Sequence, residues 1–239
     1  MKLKVSLILL FIIFHSLHTT LYAQNKTEDY FDTVVGKENL PLNNGAFYFS
    51  TYKTLDTHPF YNSNKFSIGS IIYDEQIYNN VNLKYNNHLN LLVFKTYGET
   101  ENFGIILTKK MIKEFTLQNK HFINLSLITK DSIKSIQGFY EENWQGSNFT
   151  FYIKHKKDRR EFIKDNVIYN EFGIYNEFLV AKNNSYFIIK SKKNITDLFK
   201  EQEKEIKAFY DDNSKLSKEN KTSFYEKLFR YIDQLQTTK

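Results

Sequence analysis

Hydrophobic and polar residues alternate most regularly in residues 69–94, and this pattern predicts three antiparallel strands. From Ile77 to Tyr85 the odd-numbered residues are apolar apart from Asn79, whereas the even-numbered residues are mostly polar. Because successive side chains of a strand point to opposite faces, we expect the odd-numbered set to be buried. The polar turns at residues 74–76 and 86–88 are short, so the strands that they join must be antiparallel neighbours.

Similar alternating segments flank this stretch and bring the expected total to about ten or eleven short strands. One hairpin is predicted around Asn119–Lys120. Strands at hairpin spacing are typical of an antiparallel meander, a sandwich or a partly closed barrel. The fold class is therefore predicted to be mainly β. The further strands are expected within residues 46–53, 102–107, 111–117, 122–125, 134–144, 148–154, 167–169, 175–181 and 186–190.

The period of the pattern changes to that of a helix near the C-terminal end. Apolar residues at helical spacing within residues 195–210 predict one helix, with Asn194 as its N-cap. A second apolar stripe lies within residues 224–235, and Ser217 is predicted to cap that helix. The chain is therefore expected to close with a helical hairpin that packs on the sheet, which makes the fold α+β overall.

The first residues carry the three parts of a secretory signal peptide. Lys2 and Lys4 form a basic start, residues 5–14 are an apolar run, and Ala23 is a small residue of the kind that signal peptidase favours. The protein is therefore expected to be exported, to the periplasm or the extracellular space. The expected divisions are a signal peptide (1–23), a loosely ordered polar leader (24–44), an antiparallel β domain (45–191) and the C-terminal helical hairpin (192–239).

Composition narrows the chemistry that the protein can perform. The 239 residues include no cysteine, which excludes disulfides, thiolate metal sites and cysteine nucleophiles. The formal net charge of +6 falls by two when Lys2 and Lys4 leave with the signal peptide, and so mild an excess permits association with anionic surfaces but does not argue for it. No nucleic-acid partner is expected, because an exported protein rarely meets nucleic acid. No later segment is apolar enough for a membrane helix, so no transmembrane span is expected in the mature chain. Glycine is scarce, so turns are expected to use Asn and Asp.

Three blocks of sequence form a recognisable set. They are Gly69-Ser70-Ile71-Ile72-Tyr73-Asp74 with Tyr78, Val81, Leu83 and Tyr85; Phe115-Thr116-Leu117 with His121-Phe122-Ile123-Asn124-Leu125; and residues 186–193 leading into Leu198-Phe199. Together they resemble a pattern in uncharacterised exported proteins of Bacteroidetes-type bacteria, from about residue 45 to residue 235. The resemblance implies export and no assigned activity, so it identifies no functional residue. The chain departs from the pattern at Glu75, Asn86 and Asn90.

The sequence contains none of the common catalytic fingerprints. It has no HExxH zinc motif, no Gly-x-Ser-x-Gly elbow, no P-loop and no dinucleotide-binding glycine motif. Conspicuous carboxylates such as Glu141 and Glu142 are expected to be solvated turn formers. Neither a metal nor another cofactor is predicted, because zinc-ligand spacing is missing among the four histidines of the mature chain, His58, His88, His121 and His155.

One basic run supplies most of the candidate binding residues. Residues 154–160 read KHKKDRR and are predicted to form an exposed, charged hairpin turn. As a patch for an anionic glycan this run needs aromatic or backbone partners nearby. Trp144 is the aromatic residue least easily assigned to a core, and His58 lies in a loop beside Pro59. The candidate ligand-binding residues are therefore His58, Trp144, Lys154, Lys156, Lys157, Arg159 and Arg160.

Two classes of function follow from these observations. The lack of a catalytic fingerprint favours a non-enzymatic, exported β-rich module that binds a cell-envelope protein or glycan. The alternative is a hydrolase, for example a glycan-directed one, whose His and carboxylate residues are brought together only by folding. A deep pocket where such side chains converge favours the hydrolase, and a surface without one favours the module. The sequence indicates no particular oligomeric state.

Overall fold

The computed structural model describes residues 40–96, 103–129 and 136–237. The predicted signal peptide (1–23) and residues 24–39 of the predicted leader lie outside the described residues. The last part of the leader differs from the loose segment expected. Leu40 and Leu42 are buried at a short 3-10 helix, Pro41–Asn43, because they cover apolar side chains of the sheet.

The body of the described structure is one antiparallel sheet of eleven strands. A four-residue helix, α1 (Leu125–Ile128), interrupts the succession of strands. The strands are β1 (Ala46–Phe47), β2 (Ser67–Tyr73), β3 (Gln76–Asn86), β4 (Leu91–Phe94), β5 (Ile105–Ile106), β6 (Ile112–Leu117), β7 (Lys120–Asn124), β8 (Phe139–Gln145), β9 (Thr150–Lys164), β10 (Val167–Lys182) and β11 (Ser185–Ile189).

The order of the strands is β1-β5-β4-β3-β2-β6-β7-β8-β9-β10-β11. Most neighbours in space are therefore also neighbours in the chain, and the sheet is open, with β1 and β11 at its edges. Of the three predicted arrangements, the meander is the one that forms. Its departures from simple succession are the pairs β1–β5 and β2–β6.

Four of the hairpins turn on two residues that both have positive φ, as in type I′ turns. These turns suit the right-handed twist of the flanking strands. None contains glycine, and Asn and Asp tolerate left-handed backbone better than most other residues. The predicted use of Asn and Asp in turns is confirmed, while the hairpin expected around Asn119–Lys120 turns one residue earlier. The four turns are Asp74–Glu75, Gln118–Asn119, Asp165–Asn166 and Asn183–Asn184.

A β-bulge in β3 overturns the predicted burial of the first part of that strand. Val81 pairs with Gly69 and Tyr78 pairs with Ile71, so β3 has one more residue than β2 over this interval. Asn80 takes a positive φ there. The extra residue exchanges the two faces of the strand. Tyr78 is therefore buried, and Ile77, which alternation predicted to be inside, is 42% exposed.

Four helices follow the sheet and confirm the mainly β fold with helices at the C-terminal end. The predicted hairpin of two helices is more divided than expected, because the chain leaves the helical path at Phe199 and forms a 3-10 helix, Lys200–Gln202. The helices are α2 (Lys192–Leu198), α3 (Glu203–Asp212), α4 (Ser214–Glu219) and α5 (Lys221–Thr237).

Both predicted N-caps are wrong, and the structure shows which residues take their place. Ser191 caps α2, and Asn194 completes a capping box by accepting a hydrogen bond from the Ser191 N–H at 3.0 Å. Ser217 lies inside α4, while Asn220 accepts from the Ser223 N–H at 3.0 Å near the start of α5. The spacing of apolar residues predicts a helical face but not the residue at which the helix begins.

The two largest hydrophobic clusters lie on the same face of the sheet. The register places Phe122, Glu141, Ile153 and Phe178 side by side on adjacent strands, so their side chains share that face. Phe122 belongs to a cluster over β2–β8, and Ile153 and Phe178 belong to a cluster covered by α2–α5. Glu141 therefore lies at the junction of the two clusters, within an otherwise apolar row.

Among the described residues, no helix combines the length and the hydrophobicity that crossing a bilayer requires.

Candidate functional site

The basic run of residues 154–160 is not a hairpin turn, which corrects the prediction. It lies in the middle of β9, and the hairpin turns at Asp165–Asn166. The strand continues because residues 154–160 pair residue by residue with residues 171–177 of β10. Only Thr150–Ile153 of β9 pair with β8, and only Phe178–Lys182 of β10 pair with β11. Residues 154–164 and 167–177 thus form a two-stranded extension, hereafter the ribbon.

Two cross-strand carboxylates pair with three of the five cations of the basic run. Lys156 lies 3.0 Å from a Glu177 carboxylate oxygen, and Lys154 lies 3.9 Å from the other. Arg160 lies 2.6 Å from Glu171. These residues alternate along both strands and therefore occupy the same face of the ribbon. The run predicted as a cationic patch is thus a ladder of ion pairs.

Lys157 and Arg159 occupy the opposite face of the ribbon and hold the loop that precedes β2. The Lys157 ammonium donates to the backbone oxygen of His58 at 2.8 Å, and Arg159 lies over the Tyr52 ring at 5.5 Å. Partial burial and the nearby Lys157 lower the pKa of His58. The structure therefore brings His58 to the basic run, as the prediction grouped them, but in a packing contact between loop and ribbon.

Trp144 lies apart from the other six candidate residues. A bulge at Asn143 shifts the register, so Trp144 pairs with Phe151 and faces the C-terminal helices. Its indole N–H donates to Asp233 at 3.3 Å, and Arg230 lies over its ring at 4.7 Å. Trp144 thus packs between sheet and helix, and alternation along β8 did not reveal this because the bulge reverses the face.

Glu141 is the residue that sequence reasoning placed most wrongly. It falls within the predicted strand 134–144 and does lie in β8, but it was expected to be a solvated turn former and is only 2% exposed. Burial raises the pKa of a carboxyl group, but hydrogen bonds from His155, Lys120 and Asn143 outweigh burial and lower the pKa of Glu141 to about 2. The donor atoms lie at 2.5 Å, 2.8 Å and 2.8 Å from the carboxylate oxygens.

The surroundings of this carboxylate connect several parts of the fold. The Tyr61 ring packs on the His155 imidazole, with centroids 4.7 Å apart. Asn143 also donates to Glu226 of α5 at 2.7 Å. Burial and the neighbouring Glu141 raise the pKa of the Tyr61 hydroxyl. Only the bulge and the strand register bring these side chains together, and no short sequence motif marks them.

A second histidine–carboxylate contact lies on the opposite face of the sheet. His121 Nδ1 is 3.1 Å from Glu142 and Nε2 is 3.7 Å from Glu114. The hydrogen bond to Glu142 raises the pKa of His121, and partial burial opposes this shift. Among the described residues, no group of three or more His, Asp or Glu side chains has the geometry to hold a metal ion.

Three grooves of similar size mark the described surface. One of about 530 Å³ lies where α2 meets the 3-10 helix Lys200–Gln202, and one of about 540 Å³ lies beside Phe60, Phe66 and Lys84. The third, of about 520 Å³, lies at the edge of β10. We refer to it as the edge groove. It is lined by Tyr140, Tyr175, Asn176, Glu177, Phe178, Leu179, Ile188, Ile189, Lys190 and Lys221.

The edge groove supplies the aromatic partners that the basic run lacked in the sequence. The Lys154 ammonium lies 5.2 Å from the centroid of the Tyr140 ring, and the Lys156 ammonium lies 5.4 Å from that of Tyr175. Both rings line the groove. Cations stacked on tyrosine rings at the border of a groove are suited to holding an anionic ligand. Of the predicted residues, Lys154 and Lys156 are therefore the two that lie beside a groove.

Comparison of the chain with protein-family models, curated proteins and solved structures finds no significant match. The resemblance to uncharacterised exported proteins therefore stays a prediction.

Proposed function

We propose that this protein is an exported, non-enzymatic module that binds a partner of the cell envelope through the ribbon and the adjoining edge groove. The observation that carries the proposal is the extension of β9 and β10 beyond the strands on either side of them. A two-stranded ribbon is marginally stable by itself in water. The loop before β2 packs on part of one face, at Phe172 and Lys157, and the rest of the ribbon remains exposed, which favours a role for that exposed surface.

The exposed side chains of the ribbon support a binding role. Ile163, Ile168 and Ile174 are 74%, 59% and 78% exposed. The register places all three on one face, because Ile168 pairs with Ile163 and Ile174 pairs with Lys157. Repeated exposure of large apolar side chains on one face is typical of a surface that is covered by a partner.

Export is supported by the sequence of the first residues. Residues 1–23 combine a basic start, an apolar run and a small residue before the expected cleavage site. A β-rich fold without cysteine needs no oxidising compartment to form, so it suits either the periplasm or the extracellular space.

The proposal is tested by comparing two exposed apolar sites in the native host. The double variant Ile163→Thr/Ile168→Thr removes the apolar tip of the ribbon, and Ile68→Thr is the matched control, since Ile68 is 68% exposed on β2. After cell fractionation and chemical crosslinking, we expect an envelope partner that is captured by the wild type and by the control but not by the double variant. Recovery only from the cytoplasm, or equal capture by all three proteins, would contradict the proposal.

One observation favours the hydrolase as a second candidate. The His155–Glu141 hydrogen bond has the geometry of a base with an orienting carboxylate, and Tyr61 lies against the imidazole. Against this, the side chains are only 12% and 3% exposed, and none of the three grooves is lined by either residue. Release of reducing sugars from envelope glycans that disappears in His155→Gln, with an unchanged melting temperature, would favour the hydrolase.

A further inference from the structure

The outer edge of β10 is covered at two places and open between them. β11 pairs with Phe178–Lys182. Toward the tip of the ribbon, the Asn170 N–H donates to the Lys53 backbone oxygen at 2.8 Å, and the Phe172 N–H donates to Thr57 Oγ1 at 2.9 Å. Residues 173–177 have no strand beside them among the described residues. The loop and β11 thus lie along the same edge of β10, and residues 173–177 form an unpaired gap between them.

The gap presents backbone groups that are able to pair with an added strand. Antiparallel strands direct alternate N–H and C=O groups to opposite edges. Because the N–H groups of Asn170 and Phe172 point to the outer edge, those of Ile174 and Asn176 point there as well. The edge groove runs along residues 175–177, so the space beside this part of the gap is open. A Cβ atom added at Gly173 would meet nothing within 4 Å, so the face of the ribbon is also uncovered there. Unpaired edges of this kind bind extended peptides by strand addition.

The polar groups of the edge groove indicate the charge of the ligand. Lys190 and Lys221 both line the groove, and its carboxylate, Glu177, pairs with Lys154 and Lys156. The groove therefore has an excess of positive charge.

Asn176 adds a hydrogen-bond acceptor. Its side-chain nitrogen donates to Thr222 Oγ1 at 3.0 Å, while its buried Oδ1 has no donor among the described residues. A buried acceptor without a donor is rare, and this one belongs to a residue that lines the edge groove.

We propose that residues 173–177 of β10 bind a short, extended, acidic peptide segment of the envelope partner as an added strand. The backbone of the segment pairs with Ile174 and Asn176, and its Asp or Glu side chains reach Lys190 and Lys221. This inference rests on the proposed binding function and names the chemistry of the partner. At about 3.4 Å per residue, the gap accommodates roughly four or five residues.

The test uses peptides selected by the protein itself. Random heptapeptides displayed on phage are selected against the purified protein, and the enriched sequences are made as fluorescein-labelled peptides for anisotropy titration. We expect enriched peptides to combine β-branched residues with Asp or Glu. N-methylation of alternate amides should weaken binding at least about tenfold, because it removes the strand hydrogen bonds.

Two variants of the protein locate the site. Ile174→Pro removes an outward N–H at an edge position without removing a bond to β9, and Ile174→Val is its control. Lys221→Glu reverses a charge that lines the groove, and Lys218→Glu on α4 is its control. We expect Ile174→Pro and Lys221→Glu each to raise the Kd at least about tenfold and both controls to change it less than about twofold. An unchanged melting temperature shows that each variant is folded.

Three outcomes would overturn the inference: no enrichment of acidic peptides, enriched peptides whose Kd is indifferent to both variants, or binding of tetragalacturonic acid in preference to peptides. The last outcome assigns the groove to an anionic glycan. The proposed function is tested with variants of Ile163 and Ile168, whereas the peptide site is tested with variants of Ile174 and Lys221. Failure of one proposal is therefore distinguishable from failure of the other. If partner capture is lost in Ile163→Thr/Ile168→Thr but not in Ile174→Pro or Lys221→Glu, the proposed binding function stands and the peptide site at residues 173–177 is refuted.

Discussion

The two halves of the β9–β10 hairpin lie in different environments. At the base, Phe151 and Ile153 pack under the helices, while Tyr152 and Leu179 pack on the other face of the sheet. In the ribbon, most side chains are charged or exposed, and the one buried apolar residue, Phe172, packs against the rings of Tyr52 and His88. The same two strands are thus core at one end and surface at the other. From this difference we expect the long hairpin to obtain most of its stability from the layers that cover its base rather than from its own ladder of hydrogen bonds.

The strongest test of this difference is truncation of one aromatic residue in each half. Phe151 is fully buried and stacks on Phe229 of α5 at 4.2 Å, whereas Phe162 of the ribbon stacks on Tyr169 at 5.9 Å. We expect Phe151→Ala to lower the free energy of unfolding by about 3–5 kcal/mol, because it leaves a cavity. Phe162→Ala should cost about 1 kcal/mol or less. Equal losses in urea titrations would show that the ribbon is part of the core.

Glu141 lies between the two hydrophobic clusters, and its substitution is expected to have the next largest effect. Glu141→Gln leaves Lys120 and His155 without their carboxylate and should lower the free energy of unfolding by about 3 kcal/mol. The control is Glu142→Gln, since Glu142 lies on the opposite face beside His121. A loss of similar size for both variants would contradict the role assigned to Glu141.

The same carboxylate makes stability depend on pH with a defined sign. Folding lowers the pKa of Glu141 from 4.5 to about 2, so its contribution is complete above 4.5 and is lost as the pH falls toward 2. We expect the urea midpoint of the wild type to fall more between pH 5 and pH 3 than that of Glu141→Gln, because only the wild type must protonate this carboxylate when the protein unfolds. If the urea midpoints of the two proteins changed in parallel with pH, the lowered pKa of Glu141 would be contradicted.

Turn residues offer a smaller and more local comparison. Asn166 turns the ribbon and Asn184 turns the β10–β11 hairpin at the base, both with positive φ. Glycine adopts this conformation without steric cost, so each Asn→Gly change should stabilise its hairpin by about 0.5 kcal/mol. We expect Asn184→Gly to raise global stability and Asn166→Gly to slow amide exchange in the ribbon only. If Asn166→Gly slowed amide exchange throughout the molecule, the ribbon and the base would unfold as one cooperative unit, which would contradict the comparison.

The smallest effect is expected from the ion pairs of the ribbon. Arg160 and Glu171 lie 2.6 Å apart, but their side chains are 79% and 45% exposed. Exposed pairs contribute little, so Arg160→Ala should change the free energy of unfolding by less than about 0.5 kcal/mol. Thermal unfolding at low and high salt checks this, and a loss of several degrees would indicate that the ribbon supports the base.

The sequence predicted elements that depend on local pattern. Alternation in residues 69–94 identified three strands, and the change to helical spacing placed the sheet before the helices. It failed where one extra residue enters a strand. The bulges at Asn80 and Asn143 exchange the faces of Tyr78 and Trp144, and no local composition marks them. The prediction from sequence also failed at residues 154–160. A run of charged residues is compatible with an exposed turn or with an exposed strand, and only the pairing with residues 171–177 distinguishes the two.

By itself, then, the sequence determined that this chain forms antiparallel strands followed by helices, because side-chain period and turn residues are properties of neighbouring positions. The structure selected the meander from the three arrangements that the sequence left open. Only the tertiary structure decided which residues meet. Glu141 finds Lys120 and His155 through strand register, and the gap at residues 173–177 exists because β11 ends and a distant loop begins along the same edge. Contacts of this kind depend on where separate segments end in space, and the local sequence does not encode that position.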